Sequence, residues 1–96
     1  MKLIPFDVTK YLGDEVAVAE YLNAALEEEN LGTFLAALGD VAKAKGMTSV
    51  AEQAGLGRES LYKALAPGAT PRFETIFKVA GAVGFRLQAV PHHAAP

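Results

Sequence analysis

The chain contains no cysteine. Disulfides and thiolate chemistry are therefore excluded, and a reducing cytoplasm suits it. No apolar run approaches the roughly 20 residues of a membrane-spanning helix, and the start lacks the h-region of a signal peptide. A soluble cytoplasmic protein without a membrane partner is the expectation. Histidine is confined to the adjacent His92 and His93 near the end of the chain, with no carboxylate at ligand spacing. That pattern argues for a loose tail over a metal site. Ser49 and Ser60 have no histidine in the folded region to activate them as nucleophiles. Gly55-Leu56-Gly57 follows no strand, so it opens no dinucleotide fingerprint. A non-enzyme with no metal and no cofactor is expected.

What the sequence does contain is helical periodicity. Ninety-six residues, 51% of them apolar, suffice for one small core. The informative stretch is 47–65, MTSVAEQAGLGRESLYKAL. Val50, Ala51 and Ala54 share one helical face, and Leu61, Ala64 and Leu65 share another. Gly55 between them is free to take the positive φ that ends a helix, with Leu56 as an apolar plug under the corner. Small Ala51, Gly55 four residues on and apolar Leu61 six further is the spacing of a helix-turn-helix, whose second helix enters the major groove of DNA. An ordinary αα corner uses similar residues.

The remaining chain reads in order as follows. Residues 1–13 form an irregular lead with Leu3, Ile4, Phe6 and Val8. A first helix is expected over 14–29 with Asp14 as N-cap and Val16, Ala19, Leu22, Ala25 and Leu26 on its core face, Tyr21 and Ala24 widening it. Thr33 is the expected cap of a second helix ending near Lys45, with Phe34, Leu35, Leu38, Val41 and Ala42 buried and Gly46 as the stop. Thr48 or Ser49 is placed to cap the third, and Ser49 with Glu52 matches a capping box. The last helix is expected to open at Thr70-Pro71 and to bury Phe73, Ile76, Phe77, Val79, Ala80 and Val83 before Gly84. Phe85 to Val90 nearly alternates apolar with polar and predicts a short strand. A lone strand is unsatisfied, so it is expected to pair with its copy in a homodimer, through Phe85, Leu87 and Val90, or with the N-terminal arm. The expected fold is all-α: a five-helix bundle with an N-terminal helical arm and a short C-terminal strand.

Charge divides the chain. Over 1–30, seven acidic residues against Lys2 and Lys10 leave −5, whereas over 31–96, seven basic residues against four acidic ones leave +3. A basic reader beside an acidic arm suits phosphate for one part and a different, basic partner for the other. The run Glu27-Glu28-Glu29 stands at a helix C-terminus, where the dipole disfavours it; a solvated charge run accounts for it equally well. The expected divisions are 1–30 (acidic arm and first helix), 31–91 (DNA-binding domain) and 92–96 (disordered tail).

The segments GMTSVAEQAGLGRESLYKAL and TPRFETIFKVAGAVGFRL, with FDVTKYLGDEVAVAEYLNAALEEEN ahead of them, resemble the addiction-module antidote family. These are antitoxins with a Cro/C1-type (lambda-repressor-like, HigA-like) helix-turn-helix. The resemblance runs from about Phe6 to Leu87 and is most specific at 58–65 and 21–25. It implies a type II toxin–antitoxin module in which the chain neutralises a RelE/ParE-like toxin and represses its own operon at operator DNA. Gly57 departs from the serine that commonly caps the reading helix in this family; glycine is a weaker but usable cap. A stand-alone dimeric repressor without a toxin is the alternative, and an adaptor that has lost DNA binding is a weaker third.

On the reading helix Arg58 can donate two hydrogen bonds to guanine and Glu59 can accept from a cytosine amino group. Tyr62 suits a thymine methyl or a phosphate, and Lys63 a phosphate or guanine. Thr48, Ser49 and Ser60 offer hydroxyls, and Arg72 is placed to clamp the flanking backbone. A solvated pair with Glu59 is the other reading of Arg58 and Lys63, and a core edge that of Tyr62. The charge of the arm, together with the resemblance, assigns toxin contact to Tyr11, Glu15, Glu20, Glu27 and Glu28.

Overall fold

Short polar side chains decide where the first two helices begin. In the computed structural model, which describes residues 13–92, α1 spans Glu15–Glu27 behind Asp14, whose carboxylate accepts the Ala17 N–H at 3.0 Å. Helix α2 spans Leu31–Lys45 behind Asn30, whose Oδ1 accepts the Thr33 N–H at 3.2 Å. Each cap satisfies a donor that a helix start leaves orphaned. Thr33 is therefore the residue capped, not the cap. Asparagine is the stronger N-cap, and it stands three residues ahead.

Helix α3 (Met47–Ala54) follows α2 with only Gly46 between them, at φ 102°. No side chain caps α3, so the Ser49–Glu52 capping box does not form. The junction leaves no room for it: Ser49 already lies in the first turn, and its hydroxyl accepts from Gln53 Nε2 at 3.1 Å. Helices α4 (Arg58–Ala64) and α5 (Phe73–Ala82) complete the order. Pro71 precedes the first turn of α5 instead of sitting within it. Arg72 stays extended at ψ 149°, and its carbonyl takes the first helical bonds from Thr75 and Ile76.

Helix α3 is the hub, packed against α2, α4 and α5, while α1 packs chiefly on α2. The core joins Phe34, Leu38 and Val41 of α2 to Val50 and Ala51 of α3, Leu61 of α4, and Val79 and Val83 at the end of α5. The core face expected for α2 is buried throughout. Two other helices turn differently from expectation. In α1 the buried set is Val18, Leu22 and Ala25, and Val16 and Leu26 are 69% and 44% exposed. This helix is apolar on most sides, so periodicity alone does not choose a stripe; contact with α2 does. In α5, Phe73 and Phe77 are 67% and 56% exposed, with their ring centroids 5.7 Å apart. Val79, Ala80 and Val83 take the core instead, and Ile76 is half-buried.

Both α3 and α5 end alike. Gly55 at φ 72° lets the Leu56 N–H reach the Ala51 carbonyl at 2.9 Å, and Gly84 at φ 97° lets the Phe85 N–H reach Ala80 at 2.9 Å. These are Schellman closures, which settle carbonyls that a helix end leaves open. After the second closure no strand forms: among the described residues there is none. An extended segment needs a ladder partner, and the described residues of this single chain supply no neighbouring strand. Phe85 and Leu87 instead lie half-buried against the core of their own chain, and Val90 is exposed.

Candidate functional site

Leu61 is fully buried and fixes the rotation of α4. Its burial turns Arg58, Glu59, Ser60, Tyr62 and Lys63 to solvent on one side of a seven-residue helix. Leu56, packed on the core beneath the turn, holds the corner between α3 and α4. The sequence-expected groups on this helix are thus brought together on one surface.

The Arg58 guanidinium lies 5.6 Å from the centre of the Tyr62 ring, one helical turn away. Stacking on the ring face steadies the side chain without using its N–H donors. The expected alternative, a surface pair with Glu59, does not occur. Among the described residues the charged side chains in contact are Lys78 with Glu74 and, by geometry, His92 with Glu29, so Arg58, Lys63 and Arg72 carry no ion-pair partner there. Tyr62 is 43% exposed, with part of its ring against the protein. It borders a cavity of about 470 Å³ whose other sides include Leu35, Asp40, Lys43 and Leu65. Thr48 and Ser49 are exposed in the first turn of α3, where Ser49 is engaged by Gln53. Arg72 is exposed on a separate element, at the N-cap of α5.

The acidic face is built on α1. Val16, Glu20, Asn23 and Glu27 follow the i, i+4, i+7, i+11 spacing and form one exposed row, with Leu26 beside it. Glu15 is exposed in the first turn, Glu28 is the half-buried C-cap, and Tyr11 lies outside the described residues. The apolar members of this surface, Val16 and Leu26, are the ones missed from sequence. The acidic run after them has a structural cause. Glu28 and Glu29 end α1, but Asn30 immediately begins α2, and the positive end of the second helix offsets the unfavourable end of the first. Glu29 adopts φ 54°, and its Oε1 lies 3.0 Å from His92 Nε2. The remainder of the expected tail, from His93 onward, is outside the described residues.

One hydrogen bond ties the two halves together. The Tyr21 hydroxyl on α1 donates to Asp40 Oδ2 on α2 at 2.9 Å. Partial burial, and then the bond to the carboxylate and its charge, push the Tyr21 phenol up to about 12. No group of metal-binding side chains occurs among the described residues, and no described helix is long and apolar enough to cross a membrane.

Comparison with known proteins adds the family. A family model described as "Probable addiction module antidote protein" matches residues 2–91. A relative from Haemophilus influenzae, described as an uncharacterized protein, is 42% identical over 87 residues, covering 91% of this chain and 90% of its own. No solved structure matches.

Proposed function

The chain belongs to the family of probable addiction-module antidotes, and from that premise we propose that it is the antitoxin of a type II toxin–antitoxin module. In this reading it neutralises a RelE/ParE-like toxin by direct binding and, as a homodimer, represses its own operon at operator DNA. The family implies a cognate toxin; the rest is argued from the surfaces. The α3–turn–α4 corner acts as a Cro/C1-type helix-turn-helix, with α4 in the major groove. Arg58 reads guanine through two donors and Glu59 accepts from cytosine, while Tyr62 meets a thymine methyl or a phosphate. Lys63, Thr48, Ser49, Ser60 and Arg72 hold the phosphate backbone. The observation that carries this is a pair of cations without ion-pair partners among the described residues, held outward on a helix whose rotation is locked by Leu61.

The α1 row of Val16, Glu20 and Glu27 is the toxin-facing surface, its carboxylates meeting a basic partner between apolar Val16 and Leu26 at the two ends of the helix. The test is a gel-shift and salt titration on the promoter of the chain's own operon. Arg58→Ala with Lys63→Ala is expected to abolish specific binding and flatten the salt dependence by roughly one unit of slope per lost phosphate contact. Tight, salt-sensitive binding by that double variant would refute the DNA-reading surface. Co-expression with the neighbouring gene's product tests the toxin arm. Glu20→Lys with Glu27→Lys should release the toxin while sparing DNA binding. A chain that shifts its promoter yet ignores the neighbour is instead a stand-alone repressor.

A further inference from the structure

The outward face of α5 has no role in the reading above. Phe73, Phe77, Gly81, Glu74 and Lys78 occupy one continuous exposed sector, opposite the buried Val79 and Val83. The two phenylalanines form one edge of it, and the Glu74–Lys78 pair, 3.7 Å apart, forms the other. Large aromatic side chains exposed side by side on a small chain mark an interaction surface.

We propose that this face is where two copies of the chain pair, with the α5 helices antiparallel about a two-fold axis. The argument for a second copy as occupant is the symmetry of the pattern. Reversing the helix exchanges its ends, so Phe73 of one copy abuts Phe77 of the other and Glu74 faces Lys78, twice over. The stripe is thus complementary to itself in shape and charge, as an isologous contact requires. Gly81 extends the same face, and a side chain added there meets nothing within 4 Å in the single chain. It leaves room for the partner helix to approach. The segment first expected to pair, Phe85 to Val90, has Phe85 and Leu87 committed to its own core.

The surface also bounds the size of the contact. A phenylalanine buries about 150–250 Å², so at the exposures given the four rings bring about 500 Å² of apolar area to the contact. That is roughly a third of a standard interface of about 1,600 Å². Even with the flanking charged stems the contact stays below that size, in the weak, reversible class.

This inference deepens the homodimer of the proposed function and shares only that premise with it. It is tested on the full chain without DNA or toxin, by sedimentation equilibrium from about 1 μM to 1 mM. The wild-type chain is expected to pass from monomer to dimer across that range. Phe73→Ser with Phe77→Ser removes two exposed side chains, keeps the helical circular dichroism, and raises the dissociation constant about tenfold or more. Glu74→Lys alone and Lys78→Glu alone each weaken self-association several-fold. Mixing those two single variants restores a heterodimer, which loss of the bond within one helix cannot explain. A wild-type chain that stays monomeric throughout, a phenylalanine variant that dimerises unchanged, or a failure of mixing to rescue would each overturn the proposal. A wild-type chain that stays monomeric would also remove the homodimer from the proposed function. An α4 double variant that dimerises normally and binds its promoter unchanged would refute only the DNA reading, so the two failures remain separable.

Discussion

Helix α1 and the α3–α4 corner are built on opposite plans. The first is a long helix with apolar residues on most sides, packed chiefly against one neighbour and joined to it by the Tyr21–Asp40 bond. The second consists of two short helices: α3 buries Met47, Val50, Ala51 and Ala54 and touches three neighbours, while α4 buries Leu61. Helix α4 is therefore anchored by one buried side chain, and its outward residues are free to be polar and basic. The arm spreads its stability along a stripe and leaves apolar residues among its acids. The proposed division of labour, phosphate for the corner and a protein for the arm, suits these two plans.

Substitutions sharpen the contrast, beginning with the core. Leu61→Ala is expected to cost about 3–5 kcal/mol, because it removes the fully buried side chain that anchors α4 in the core. Leu22→Ala on α1 is expected to cost less, about 2–3 kcal/mol, since one helix face can relax into the gap. Urea denaturation of both variants checks the order. An equal or reversed order would mean that α1 is as integral as the corner. Gly55→Ala comes next, at about 1–2 kcal/mol, because an L side chain at φ 72° is strained even with open space around it. The fall in melting temperature reads it.

Tyr21→Phe removes a side-chain bond between α1 and α2, and should cost about 0.5–1.5 kcal/mol. The same bond has a pH signature. The Tyr21 phenol is held at about 12 in the folded chain, above its ordinary value of 10.0. The folded state thus favours the neutral form. Stability from this group is complete below pH 10 and declines as pH rises from 10 toward 12. Denaturation curves across that window should show the decline in the wild type and less of it in Tyr21→Phe. The smallest effect expected is a gain. Glu29→Gly relieves a non-glycine residue at φ 54° and should stabilise by up to about 1 kcal/mol, seen as a small rise in melting temperature.

The sequence by itself determined the number of helices, the turn at Gly55, the buried face of α2 and the exposure of the basic residues of α4. Each of these rests on strong local chemistry: a glycine at a positive φ, a clear three-and-four apolar spacing, a charged side chain that stays in water. Asn30 as a cap was also within reach, since its side chain acts only three residues away.

Other features were beyond local reading. Which stripe of α1 faces inward, and that α5 shows Phe73 and Phe77 to solvent, depend on where neighbouring helices lie; both segments are apolar on more sides than one neighbour can cover. The alternation after Gly84 suggested a strand, yet backbone pairing needs a partner at a distance, and docking of Phe85 and Leu87 on the core takes its place. The stacking of Arg58 on Tyr62, the Tyr21–Asp40 bond across 19 residues of sequence, and the contact of His92 with Glu29 belong to the same class. Periodicity says that a side chain is apolar and helical; only packing says which of several apolar faces is covered, because burial is a property of the neighbours as much as of the residue.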